Sequence, residues 1–274
     1  MGLYSKKIIK TYYNKASLHS RWVQDYKFEI RNAMQWINSK LNVDLDVIAP
    51  QDVQFQSKYN IGTRLLLLMK SDLIKSGDPN YLKFLDIYEE VGQTTLLDFD
   101  RAYILYQAAQ ATGYLGGCSA ECGVYRGGSS VLIAKLFPAR RHYALDTYEG
   151  FPDVLSTIDV HEHDSFSNLS VIEIEKLFGT YANIVMLKGP FSVSFQKIED
   201  QIFSFVHVDA DLYVSTKECL EFFYSRMIPG GIMLFDDYLI PNTPGVKQAV
   251  DEFFASKKEQ PIVLPTFQAM VFKG

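Results

Sequence analysis

From about residue 115 onward the chain alternates short apolar runs with helix-length segments, and this alternation constrains the fold more than any other property. Strands are expected at Ser119–Val124, His142–Asp146, Ile184–Leu187, Phe203–Ala210 and Ile232–Phe235, with two short ones at Ile262–Leu264 and Ala269–Phe272. Helices are expected between them, over Ser129–Phe137, from the end of a polar loop at Thr147–Ser170 to about Tyr181, over Val214–Met227 and over Gly245–Ser256. Strands separated by helix-length segments require parallel crossovers, so the expected fold is α/β, a doubly wound, mostly parallel, seven-stranded sheet. In such sheets ligands bind outside the carboxyl ends of the strands.

The first hundred residues read differently. Apolar positions at Phe28, Ile30, Ala33, Met34, Ile37 and Leu41 recur near the helical period. Asn60–Lys75 is a second helix-length run, stopped by Gly77-Asp78-Pro79. A third helix, capped by Thr94 or Thr95 and ended by Gly113, runs through Ala102–Ala111. The expected organisation is a helical extension over 1–100 and a catalytic domain over 101–274.

The chain has 274 residues and a net charge of -5, which argues against a nucleic-acid partner, since that role usually carries a basic face. Cys118 and Cys122 are separated by three residues rather than two, and Cys219 has no neighbour, so neither a zinc knuckle nor a disulfide framework is expected. Reduced thiols suit a cytoplasmic setting. The polar start MGLYSKKIIK is no secretory signal, and Leu65–Met69, the longest apolar stretch, is far short of the ~20 residues that span a bilayer.

Two groups of residues at strand ends carry chemistry. Glu121-Cys122-Gly123-Val124-Tyr125-Arg126-Gly127-Gly128-Ser129 joins the first strand to its helix. It has the glycines that let backbone approach a ligand closely, but neither the dinucleotide pattern nor the phosphate-loop lysine. A ligand without a pyrophosphate is therefore favoured. Asp146, ending the second strand, is placed to accept the ribose hydroxyls of an adenosine, and Glu121 suits a ligand bearing ammonium and sulfonium charges. The bland alternative is a tight turn.

The second group is His207-Val208-Asp209-Ala210-Asp211 with Asp236-Asp237-Tyr238. Four carboxylates at neighbouring strand mouths repel one another unless a cation or protons intervene. Oxygen donors favour magnesium, manganese or calcium over zinc, with Asp209, Asp236 and Asp237 as the expected ligands. The bland alternative makes Asp237 a turn cap and Asp211 a helix cap. His161-Glu162-His163-Asp164 is either a solvated loop or a functional one, whose two histidines bind metal or, through His163, supply a catalytic base. His207 reads as a hydrogen-bonded core histidine.

The stretches ECGVYRGGSS, LDTYEGFPD, VHVDADLYVSTKECLEFFYSRMIPGG and LFDDYLIPNTPGVKQAVDEFF resemble the macrocin O-methyltransferase family of bacterial natural-product enzymes, typified by the mycinamicin and novobiocin sugar methyltransferases. The resemblance covers about residues 118–256. It implies a class I methyltransferase fold using S-adenosylmethionine and Mg2+ (or Mn2+ or Ca2+). It also implies metal ligands at Asp209, Asp236 and Asp237, and Asp211 as general base. Cofactor contacts are expected at Glu121, Gly123, Tyr125, Gly127, Ser129, Asp146, Gly189 and Asp209. The acceptor would be a sugar or other secondary-metabolite hydroxyl, and the assembly a homo-oligomer. The alternatives are the same fold acting on a polyketide or peptide hydroxyl, a carboxyl or amide oxygen or a surface polysaccharide, and a catalytically silent nucleoside-binding protein.

Overall fold

The computed structural model describes residues 77–274 except 152, 153, 162–165 and 168. The helices expected at 26–41 and 60–75, and the candidate base His163, lie outside the described residues. The chain divides into two compact units, Met1–Glu89 and Glu90–Gly274, so the second begins earlier than the expected boundary near residue 100.

The first described helix, α1 (Pro79–Val91), follows directly on the segment expected to stop one. Gly77-Asp78-Pro79 is also a start signal. Asp78 Oδ1 accepts the Tyr81 N–H at 2.7 Å, and proline fits the first helical position, where a missing N–H costs nothing. Helix α2 (Phe99–Ala111) is capped by Asp98 rather than by Thr94 or Thr95. The Asp98 carboxylate accepts the N–H groups of Asp100 and Arg101, whereas Thr95 Oγ1 only accepts from Leu97 at 3.1 Å.

Seven strands make one sheet in the order β3-β2-β1-β4-β5-β7-β6. They are β1 (Cys118–Cys122), β2 (His142–Asp146), β3 (Ile184–Lys188), β4 (Phe203–Val208), β5 (Met227–Phe235), β6 (Ile262–Val263) and β7 (Ala269–Phe272). The five strands from β3 to β5 are parallel, while β7 runs antiparallel to both β5 and β6. Helices α3 (Gly128–Leu136), α4 (Val171–Phe178), α5 (Phe191–Ser194), α6 (Tyr213–Phe223) and α7 (Pro244–Phe254) fill the crossovers. The doubly wound expectation holds, with β2 and β7 at their expected bounds. β4 is fully buried, as a parallel strand covered on both faces must be. Its Phe203 and Val206 share the core with Ala120, Phe223, Phe235 and Phe254.

Register places the site. Cys122 pairs with Leu145 on one side and Val208 on the other, and Val208 pairs with Phe235. The strands therefore end at one level, and the next residues, Gly123, Asp209 and Asp236, emerge side by side. Backbone bonds fix them there: Gly123 N–H donates to Leu145 O at 3.0 Å, Asp209 N–H to Cys122 O at 2.8 Å and Asp236 N–H to Val208 O at 2.9 Å. Cys118, Cys122 and Cys219 are free thiols. Among the described residues no helix is long and apolar enough to cross a membrane.

Candidate active site

A cavity of about 290 Å3 opens over these strand ends. Its wall includes Gly123, Tyr125, Ser129 and Asp146 on one side and Asp209, Asp211, Asp236 and Asp237 on the other. Sequence reasoning thus brings together eight residues that share one space although they come from four segments of chain.

The glycine side is a self-satisfied structure. Asp146 Oδ2 accepts the N–H groups of Val124 and Tyr125 at 2.7 and 3.0 Å, and Oδ1 accepts that of Tyr148 at 2.7 Å. A carboxylate offers about four acceptor positions, so three backbone bonds leave room for about one more and not for two ribose hydroxyls. The glycines serve close approach of the chain to itself. A Cβ on Gly123, at φ +85°, would lie 1.8 Å from the Asp209 carbonyl oxygen; one on Gly128 would lie 2.7 Å from the Thr94 carbonyl carbon. Gly127, also at φ +85°, caps α3 against the Phe178 ring. Neither Gly127 nor Gly189 is on the cavity wall; the Gly189 N–H donates to Asp146 O at 2.9 Å.

Glu121 departs furthest from expectation. It is 0% exposed and lies off the cavity wall. Its register partner on β4 is His207, so both side chains point to the same face of the sheet. Oε1 meets His207 Nδ1 at 2.8 Å and Oε2 accepts the Ser130 hydroxyl. His207 is the buried, hydrogen-bonded histidine expected. Its Nε2 faces Asp236 Oδ1 at 4.0 Å. Burial opposes charge on the ring, but Asp236 and Glu121 outweigh it and hold the imidazole up to about 10.

The acidic side is frustrated. Oxygens of Asp209, Asp211 and Asp237 lie within 4.8 Å of one another. Burial, then the neighbouring carboxylates, push Asp209 and Asp211 well above the ordinary range, and push Asp237 up to about 6. Asp211 and Asp237 also have left-handed backbone, φ +59° and +54°, which non-glycine residues adopt at a cost and which clusters at functional sites. Neither caps a helix. The residue preceding α6 is Leu212, without a side-chain cap, and the Tyr213 N–H goes instead to Asp159 Oδ1 at 2.9 Å. Thr243 precedes α7, again without a side-chain cap.

Asp236 differs from the other three. Gln268 Nε2 donates to its Oδ1 at 2.6 Å, and Arg101 Nη1 donates to its Oδ2 and to Asp237 Oδ1, the latter at 2.7 Å. Burial would raise its pKa, but His207 and Arg101 outweigh burial and lower it. Asp209, Asp211 and Asp237 are the carboxylates whose oxygens lie close enough together to share a cation, while Asp236, the remaining expected ligand, pairs with Arg101 and Gln268. Arg101 has no local signal in the sequence; it reaches the site from 135 positions away. The far wall is aromatic, with Tyr125, Phe151, His161 and Phe166 in edge and tilted contacts at 5.4–6.0 Å. His161 is on the cavity wall, and His163 lies outside the described residues.

A mostly parallel seven-stranded sheet with its ligand space over β1, β2, β4 and β5 is the class I methyltransferase fold. A family model described as macrocin-O-methyltransferase (TylF) matches residues 91–268, and the chain belongs to that family. The match begins well before the motifs at 118 and takes in Arg101. Among named relatives, the chain is similar to the 8-demethyl-8-(2,3-dimethoxy-alpha-L-rhamnosyl)-tetracenomycin-C 4'-O-methyltransferase of Streptomyces olivaceus, 30% identical over 44% of this chain and 52% of that protein. It is also similar to the demethyldecarbamoylnovobiocin O-methyltransferase of Streptomyces niveus, 28% identical over 49% and 57%. The match therefore spans little more than half the length of these relatives. In structure it resembles the O-methyltransferase NovP, with a TM-score of 0.58 at 24% identity over 66% of this chain and 82% of that one. It also resembles the calicheamicin methyltransferase CalS11, with a TM-score of 0.57 at 21% identity over 82% and 99%.

Proposed function

We propose that the protein is an S-adenosylmethionine-dependent O-methyltransferase, acting on a hydroxyl of a sugar or other natural product with the help of a divalent cation. One observation carries the reading: in a chain of the macrocin O-methyltransferase family, the Gly123–Ser129 loop and four strand-end carboxylates face one cavity. The names of the relatives, which methylate a rhamnosylated tetracenomycin and a novobiocin precursor, support the acceptor class.

The residues present fit both implied groups. Gly123, Tyr125, Ser129 and the remaining acceptor position of Asp146 suit a nucleoside donor that brings an electrophilic methyl on a sulfonium. Asp209 and Asp237, with Asp211 or Asp236, offer the oxygen-only set that hard divalent ions take. A cation bound there would stabilise an acceptor oxygen as its proton leaves, the step that an alcohol rarely makes near neutral pH. The chain's own part is then definable. Asp211, on the cavity wall beside Asp209 and Asp237, takes the acceptor proton. Asp209 and Asp237 align the acceptor beside the glycine loop for in-line attack. Tyr125, Phe151 and Phe166 shield that space from water.

The test is calorimetry with S-adenosylhomocysteine, followed by methyl transfer to a panel of glycosylated natural products with and without EDTA. Binding and EDTA-sensitive transfer are expected. Undiminished transfer in EDTA would remove the cation, and no binding of S-adenosylhomocysteine would remove the whole reading.

A further inference from the structure

Asp237 belongs to two arrangements at once. It is one of three carboxylates whose oxygens converge within 4.8 Å, and it is one of two that receive Arg101 Nη1. Arg101 stands in the first turns of α2, whose start is fixed by Asp98: the Arg101 N–H donates to Asp98 Oδ1 at 2.9 Å, and Arg101 Nε lies 3.7 Å from Asp98 Oδ2. Its guanidinium is only 17% exposed and also approaches the Leu96 carbonyl oxygen at 3.5 Å. The Gln268 amide links the same two partners, donating to Asp236 Oδ1 at 2.6 Å and to Arg101 O at 3.5 Å. Arg101 is thus a half-buried, doubly paired cation on the wall of the proposed reaction space.

We propose that Arg101 is a built-in counter-cation that competes with the divalent ion for the Asp236–Asp237 edge, and so sets both the affinity and the ligand set of the metal site. The inference rests on the cation-site reading above. Two like charges cannot share one carboxylate pair at hydrogen-bond distance without strong repulsion in a poorly solvated pocket. With Arg101 in place, Asp209 and Asp211 are the carboxylates it does not hold, and an ion has to win Asp237 from it. With Arg101 withdrawn, Asp236 joins Asp209 and Asp237, the set expected from the sequence, and Asp211 is released to act as base. A guanidinium suits the role better than an ammonium, because it stays charged and its planar fork spans two carboxylates. Arg101 acts through the ligands and is a positioning residue.

The test measures Mn2+ binding to the full-length protein by calorimetry and electron paramagnetic resonance, and thermal midpoint in EDTA, for wild type, Arg101→Gln and Arg101→Lys. Removing the competitor should tighten Mn2+ binding at least ~10-fold in Arg101→Gln, with Arg101→Lys between the two, since a point charge competes less well than a fork. In EDTA, Arg101→Gln should melt lower, because the carboxylates lose their partner, and saturating Mn2+ should restore more stability to it than to wild type. A structural role alone would lower the melting point without tightening the ion. Wild type and Arg101→Gln binding Mn2+ equally, or Arg101→Gln binding it more weakly, overturns the proposal while leaving the cation site intact. If neither binds Mn2+ while both still bind S-adenosylhomocysteine, the cation reading itself has failed, and the proposal with it.

Discussion

The two sides of the cavity solve opposite problems with the same strand ends. On the glycine side, between β1 and β2, Asp146 is the one acidic group on the wall, and three backbone N–H groups satisfy it. On the acidic side, after β4 and β5, four carboxylates face one guanidinium, Arg101. The first side is complete as it stands and offers a shaped surface. The second crowds four carboxylates around that guanidinium and the buried His207 ring, and it stores backbone strain at Asp211 and Asp237. A site of the first kind selects a ligand by fit; crowding of the second kind is relieved by protons or, on the function proposed above, by a cation.

Substitutions should therefore have opposite signs on the two sides. The largest effect is expected at Gly123→Ala, where a Cβ would meet the Asp209 backbone carbonyl at 1.8 Å and φ is +85°. A clash with backbone cannot be relieved by a rotamer change, so urea denaturation should show a loss of about 4 kcal/mol or no folded protein. Asp236→Asn should reduce methyl transfer by on the order of 100-fold or more while S-adenosylhomocysteine affinity stays within about twofold; a parallel loss of cofactor affinity would mean the two sides are not separable.

Acid should reach the buried histidine that opens β2, at the other end of that strand from the cavity. His142 is fully buried, and burial first, then His207, lower its pKa from 6.5 to about 4 against the opposing pull of Glu121. The folded ring stays neutral while the unfolded chain takes up a proton. Stability is therefore full above about 6.5, declines as pH falls toward about 4, and levels off below, for a total of about 3 kcal/mol. His142→Asn should flatten that slope in pH-dependent denaturation; an unchanged slope would place the acid sensitivity elsewhere. On the acidic side, Asp211→Asn should abolish most activity and yet leave the EDTA-treated protein as stable as wild type or more so, by about 1 kcal/mol, because one repelling carboxyl is gone. The smallest effect belongs to Asp98→Ala, a lost helix cap worth about 1 kcal/mol.

How legible each side was follows from what carries its information. Asp209, Asp236 and Asp146 could be found because each terminates an apolar run, and a run's end is visible in one dimension. Asp211 and Asp237 came with them. The capping alternatives remained open until Asp159, more than fifty positions away, proved to hold the Tyr213 N–H. Glu121 lies off the cavity wall because, although its neighbours in sequence form the glycine loop, β1–β4 register sets its side chain on His207. Arg101 was invisible: a single arginine on an amphipathic helix reads as a solvated charge, and only the packed fold carries it to Asp236 and Asp237. Helix α1 was missed for a local reason, since Asp-Pro was taken only as a stop although it also starts helices.

The proposed cation site on the acidic side is tested most directly by the thermal midpoint of the protein in EDTA and after addition of Mg2+ or Mn2+, in wild type and in Asp237→Asn. The account predicts a rise of several degrees in wild type and little or none in the variant. No rise in wild type, with the carboxylates as stable alone as with the ion, would contradict it.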